Sequence, residues 1–411
     1  MKRAYRIAAI ALLGVLPGAS SVLAGAKDAN VPALVDARKL QTVEMERGNG
    51  ELLPLMAGVV LSPDGRHLLH TVPAKTPEQE TDTIPMPLSL LQRVDYVLRD
   101  LKTGKDRKLP VRSSPRMFTL FVSISQPFSA DGRRIALCET VSFDPKRFPK
   151  GNEMTVRVYD IESGKMHDTG LHNSVTLGTL SPDGKTVAVT SSKSGGDLTS
   201  LPDLMVGKVD STRLKKHSLG GIPLSFCPKG KMLAIVQPPI QPQVPPDAPR
   251  TASRMLLHDF TSGKTTELPI GKEAMQTGPS EVAWTRDGRF FAYGDWEKFV
   301  RNPGPDQQED HRHVTRLWDI KNGKPAADLP DLVPVAPGPT ESSIFCRAAR
   351  GKQRDRGRGI YLYDHATKKK TQLGKDEHIL ISAGGDRLVY GVKNDNSLDI
   401  YLAGIKMPGR R

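Results

Sequence analysis

Six cations, Arg347, Arg350, Lys352, Arg354, Arg356 and Arg358, fall within twelve residues, accompanied by Gly351, Gly357 and Gly359. Guanidinium forks match carboxylate, phosphate and sulfate groups, and glycine lets backbone approach a ligand closely. This stretch points to an anionic partner, with a solvated loop as the competing reading. Nucleic acid is disfavoured, because single-strand binders set aromatic rings beside their cations. No aromatic lies inside the stretch, and Tyr361 and Tyr363, which follow it, read as strand core.

Other chemistry-bearing groups are sparser. Trp296 and Phe299 lead into an acidic and histidine-rich run from Asp306 to His313. His311 and His313, beside Glu309 and Asp310, offer two or three metal ligands from one loop. No matching cluster occurs elsewhere, so no metal is expected. His67, His70 and His258 sit in strand-like segments as structural residues. The chain has no GxSxG, P-loop, GxGxxG or HExxH signature, so it points away from an enzyme and toward a cofactor-free scaffold. A hydrolase or lyase with carboxylates converging in a central channel is the alternative.

The elements that would position these groups come from a repeat. A short apolar strand, a polar turn with Asp and Gly, and a second apolar strand appear at 59–69, 128–137 and 180–189, with Ser62-Pro63-Asp64-Gly65 the plainest turn. Weaker copies stand at Cys227-Pro228-Lys229-Gly230, Thr285-Arg286-Asp287-Gly288 and Ser382-Ala383-Gly384-Gly385. Proline pre-sets φ, Asp bonds nearby backbone and Gly accepts the left-handed conformation, so each copy reads as a hairpin turn. A second signature, Asp followed by a turn ending Gly-Lys, begins at Asp100, Asp160, Asp259 and Asp319, with copies lacking that Gly at Asp210 and Asp364. Two hairpin turns per unit give four strands, the pattern of a propeller blade.

Glycines 65, 132, 184, 230, 288 and 385 are separated by 67, 52, 46, 58 and 97 residues. The doubled last interval hides a unit, whose second and third strands are Ser342–Cys346 and Ile360–Asp364. The expected fold is therefore an all-β propeller of seven four-stranded blades; six is the count if the concealed unit is only an elaborated loop. The last unit shows three strands, and the alternating segment Lys39 to Met45 is expected to supply the fourth, closing the ring and removing an open edge.

The Ser-Pro-Asp-Gly turn, with the later Tyr-Asp or Trp-Asp and Gly-Lys turn, resembles the WD40-like repeat of exported bacterial TolB-type β-propellers. The resemblance covers nearly the whole chain beyond residue 26. It implies a platform for protein or ligand contact. The same repeats form the propeller of prolyl-oligopeptidase-type peptidases, but no α/β region of helical periodicity follows the blades here.

Lys2, Arg3 and Arg6 precede an apolar run, Ile7 to Leu16, and a small-residue stretch ending Ala24-Gly25-Ala26, which together read as a signal peptide over residues 1–26. Residues 27–56 then form an N-terminal segment with the closing strand, and 57–405 the propeller. The run is too short to span a bilayer, so the expectation is a monomeric, periplasmic or secreted protein without a membrane span. The formal charge is +14, or +11 without the three signal cations, which suits an anionic polymer or acidic protein as partner. Cys138, Cys227 and Cys346 form no framework and read as buried thiols.

The first and third connections of a four-stranded blade lie on one face of the disc, the second and the inter-blade link on the other. The tight turns therefore pave one face. Long second connections, Val72 to Arg93, Glu139 to Glu153, Gln237 to Arg254, Asp295 to His313 and Arg347 to Arg358, gather on the opposite one, the expected binding face.

Overall fold

The computed structural model describes residues 32–44, 59–74, 94–113, 127–142, 153–172, 175–192, 200–211, 213–238, 253–271, 281–300, 309–349, 359–374, 378–394 and 397–408. Among these every regular element is a strand, and the strands form seven antiparallel sheets. Blades one to six occupy residues 59–113, 128–168, 175–216, 222–268, 282–330 and 332–372. The concealed unit is thus a full blade. In the second blade the inner strand is reduced to a single bridge between Phe128 and Ile135, beside three regular strands.

The seventh blade joins both ends of the described chain. Ala33–Glu44 pairs antiparallel with Ser397–Lys406, from Ala33 opposite Lys406 to Glu44 opposite Ser397. The strand starts six residues before the alternating stretch Lys39 to Met45. Asp36 takes φ 52° where the register slips between Val35 and Arg38, and this bulge breaks the alternation that marks a strand in sequence.

Each seam between neighbouring blades holds its own apolar cluster, seven clusters for seven seams. Leu69, Tyr96 and Leu98 of the first blade meet Phe128, Ile135 and Leu137 of the second. Phe345, Ile360 and Leu362 of the sixth meet Leu380, Leu388 and Tyr390 of the seventh. A blade is apolar on both faces and is stable only when covered on both sides, which makes closure of the ring an energetic requirement.

The first turns share one hydrogen-bond scheme. The Ser62 hydroxyl donates to Asp64 Oδ1 at 2.5 Å and accepts the His67 amide at 2.9 Å, while Gly65 N donates to Ser62 O. Ser129, Ser181 and Thr285 repeat it with Asp131, Asp183 and Asp287. All six turn glycines take φ between 62° and 71°. In the sixth blade's Asp364 turn, where glycine is missing, Lys368 takes φ 55° instead.

Candidate binding face

The first and third connections do share a face. Leu101 N donates to Arg66 O, Ile161 N to Arg133 O and Ile320 N to Arg289 O, each bond tying the third connection of a blade to its first. These turns also bond across seams. Gly385 N donates to Pro63 O at 2.6 Å, Arg387 Nη1 to Gly65 O at 3.3 Å, Arg134 Nη1 to Gly184 O at 2.9 Å and Asp287 N to Glu341 O at 3.3 Å. Arg286 of the fifth blade, at the rim of the ring's centre, donates to Gly385 O of the seventh at 2.8 Å. The turn face is a belt with its backbone groups committed to one another.

Inside that belt inner strands and first turns of all seven blades line an open axial cavity of about 390 Å3. Phe128, Leu180, Phe226, Val282, Trp284 and Val335 are among its apolar lining residues. Asp64 is the carboxylate in its lining, and Ser62 Oγ and Arg66 N both donate to it. Carboxylates from two blades do not converge among the described residues that line it.

The opposite face is built differently. In the fifth blade Phe290–Val300 and Glu309–Asp319 pair through Val300 opposite Glu309, so most of the expected loop from Asp295 to His313 is a hairpin. Its polar composition reflects cross-strand pairing: Glu297 stands opposite Arg312, whose Nε donates to Glu297 Oε1 at 2.6 Å. Asp295, fully buried at the base, accepts from Gly271 N at 2.9 Å, Trp296 N at 2.8 Å and Arg316 Nε at 2.5 Å. Arg316 also donates to Asp328 at 2.9 Å. A buried carboxylate with three donors and a cation is compensated, and it fixes where the hairpin leaves the ring.

A second polar feature on this side is a cleft of about 350 Å3 between the first and second blades. Asp95 lies in its wall with a side chain 4% exposed, 2.5 Å from Lys108 Nζ and 3.0 Å from Arg112 Nε. Those cations are 59% and 52% exposed. Glu139 and Arg157, 2.5 Å apart, form the facing wall, and Arg157 also reaches Asp168 at 3.6 Å. The strand register places Asp95 opposite Arg112, and the seam brings Glu139 to the same cleft.

Of the site residues expected from sequence, Arg350, Lys352, Arg354, Arg356 and Arg358 lie outside the described residues. So do residues 1–26 and most of the long connections before 94, 153 and 253. Arg347 ends the strand Ser343–Ala348 and forms an ion pair with Glu281 of the fifth blade, which makes it a tie across a seam. Trp296 lies on the hairpin with its ring edge-on to His313 at 5.3 Å. Phe299 has its backbone in the same strand, opposite Asp310, and its side chain falls outside the description.

His313 is buried, its Nδ1 donating to Leu332 O at 2.8 Å, and burial holds its pKa below the ordinary imidazole range. It is packed into the seam, and the side chain of His311 lies outside the described residues. No group of three or more possible metal ligands occurs among the described residues. All three cysteines are buried free thiols, and burial pushes Cys138 up to about 12. Tyr363 is core; Tyr361 is half-buried, with the Lys370 ammonium 5.4 Å from its ring centre. Reasoning from sequence missed Asp95, Lys108, Arg112, Glu139 and Arg157; an acidic residue set in an apolar strand, as in Val94-Asp95-Tyr96-Val97-Leu98, was the available signal.

No protein family model matches the chain, and no curated protein matches it. Solved structures do. The β-propeller domain of the Trilobed protease from Pyrococcus furiosus, described as having an open velcro topology, is 11% identical, with 86% of this chain and 96% of that one covered and a TM-score of 0.51. An oligogalacturonate lyase in complex with manganese is 11% identical over 91% of this chain and 98% of its own, at 0.49. The tricorn protease gives 11% and 0.49 over 91% of this chain, which spans 36% of it. At these identities the likeness is one of fold, and the chain is similar to β-propeller domains.

Proposed function

We propose that the chain is an exported binding scaffold of the WD40-like, TolB-type kind, which holds an anionic partner, an acidic protein or an envelope polymer, on its long-loop face. The observation that carries this reading is the cleft between the first and second blades. One buried carboxylate, Asp95, there serves two half-exposed cations, Lys108 and Arg112, so that wall turns positive charge to solvent, while Arg157 on the facing wall is shared by Glu139 and Asp168. The basic stretch from Arg350 to Arg358 adds cations in the sequence of a connection expected on the same face. Positive charge gathered over a rigid base raises the local concentration of anions and speeds their capture.

The test is retention on an immobilised anionic polysaccharide as salt is raised. Lys108→Gln, and separately a deletion of 350–358, should each elute at lower salt than the wild type with unchanged circular dichroism. Unchanged elution of both would remove this face from the account. Export is tested by fractionating cells and sequencing the N-terminus of the mature chain, expected at Lys27.

A hydrolase or lyase reading draws on one observation: Asp95 and Glu139, both outside the repeated turns, line the same cleft. Each is engaged by its own cation, which favours a binding role over catalysis. Shortening of an anionic polysaccharide by the wild type, lost in Glu139→Gln, would reverse that preference.

A further inference from the structure

The axial cavity is separate from the cleft, lies toward the other face, and has a different chemistry. Its wall includes the aromatic residues Phe128, Phe226 and Trp284 and the aliphatic Leu180 and Val335, with prolines of the turns around it. Polar side chains at its edge are engaged with protein: Trp284 Nε1 donates to Ser225 Oγ at 3.0 Å, Asp64 accepts two donors of its own turn, and Arg286 donates to Gly385 O. At ~30 Å3 per water, about 390 Å3 has room for roughly thirteen waters. Most of the lining is apolar, so water there gains few partners and its release by an apolar molecule is favourable. The size falls within the ordinary range for small-molecule pockets, roughly 300 to 1,000 Å3.

The geometry points to a ligand site in this cavity for a small, uncharged, predominantly aromatic or alicyclic molecule. Three features support it. Every blade contributes to the wall, so the site exists only in the closed ring. The belt of inter-turn hydrogen bonds holds the wall in place before any ligand arrives, which lowers the ordering cost of binding. Phe128, Phe226 and Trp284, from the second, fourth and fifth blades, provide polarisable aromatic surface suited to contact with another ring. The site does not depend on the anionic partner of the long-loop face.

The experiment uses N-phenyl-1-naphthylamine, an uncharged aromatic amine that fluoresces on leaving water, titrated into the full chain. Saturable binding at one site per chain with a raised melting temperature is expected. Two variants fill the cavity from nearly opposite sides of the ring: Ala130→Trp, from an exposed turn position, and Val335→Trp, from a half-buried one. Each should weaken the probe at least about tenfold. Val141→Ser removes an exposed apolar side chain that does not line this cavity and should leave affinity unchanged. Circular dichroism and unliganded melting establish which variants fold, and either filling variant alone decides. Absence of saturable binding to the folded wild type, or undiminished affinity in a folded filling variant, would overturn the proposal.

Discussion

The two faces of the disc solve opposite problems with the same strands. On the turn face, backbone amides and carbonyls of neighbouring blades bond directly, as Gly385 does to Pro63, and no length is left to vary. On the long-loop face side chains tie neighbouring blades: Glu281 pairs with Arg347, the Tyr96 hydroxyl donates to Cys138 O and the Thr190 hydroxyl to Gly221 O, while Asp295 with Arg316 and Glu139 with Arg157 fasten strands within a blade. Backbone bonding suits any sequence that turns tightly and therefore repeats, whereas side-chain bonding is particular to each blade. The face that repeats is thereby the structural one, and the face that does not repeat is where recognition has room to arise.

The sharpest way to break this contrast is to disturb the turn face. A Cβ at Gly384 would lie 1.9 Å from the carbonyl oxygen of Ser62, so Gly384→Ala must push the seventh blade from the first. A loss of at least about 3 kcal/mol is expected from chemical denaturation, with partner binding falling only through the unfolded fraction. Next in size is Arg316→Ala, which strips the cation from a fully buried carboxylate; about 3 kcal/mol should be lost. Restoring it with Arg316→Ala and Asp295→Asn together would recover part of that, and no recovery would show that the pair acts through other contacts.

Acid should separate the faces more gently. Burial holds His313, at the base of the hairpin, and His365, in a turn, below the ordinary imidazole range. An unfolded chain binds protons below about pH 6.5 that these folded imidazoles refuse, so stability is complete at neutral pH and declines as pH falls through that value. His313 is only 9% exposed, and His313→Leu should flatten the melting temperature between pH 7 and 5 more than His365→Leu does. Equal slopes would place the acid response on both faces alike. Smallest on stability is Lys108→Gln, expected to shift it by about 1 kcal/mol or less because Lys108 is half-exposed and Arg112 still pairs with the buried Asp95, while retention on the anionic resin falls.

How much of this is legible in sequence follows the same division. Turns are local, so Ser-Pro-Asp-Gly reveals its blade, and the spacing of the glycines exposes even the blade whose own turn, around Gly338 and Pro339, has lost the pattern. The closing strand is legible from Lys39 onward and not before, because the bulge at Asp36 spoils alternation. The hairpin from Asp295 to His313 reads as a loop because Glu297 and Arg312 satisfy each other only once paired. Asp95 and Glu139 are 44 residues apart and belong to different blades; only the seam makes them neighbours, and nothing in their local sequence announces it.

The pairing of Ala33–Glu44 with Ser397–Lys406 also sets a schedule. A ribosome adding about 5 to 20 residues per second needs roughly 20 to 70 s to travel from residue 44 to residue 406. Until residues 397–406 follow, whether from a ribosome or across a membrane, the first strand has no partner and the ring cannot close. The protein must therefore be kept from finding a substitute strand, in another copy of itself or elsewhere, until its own last hairpin emerges.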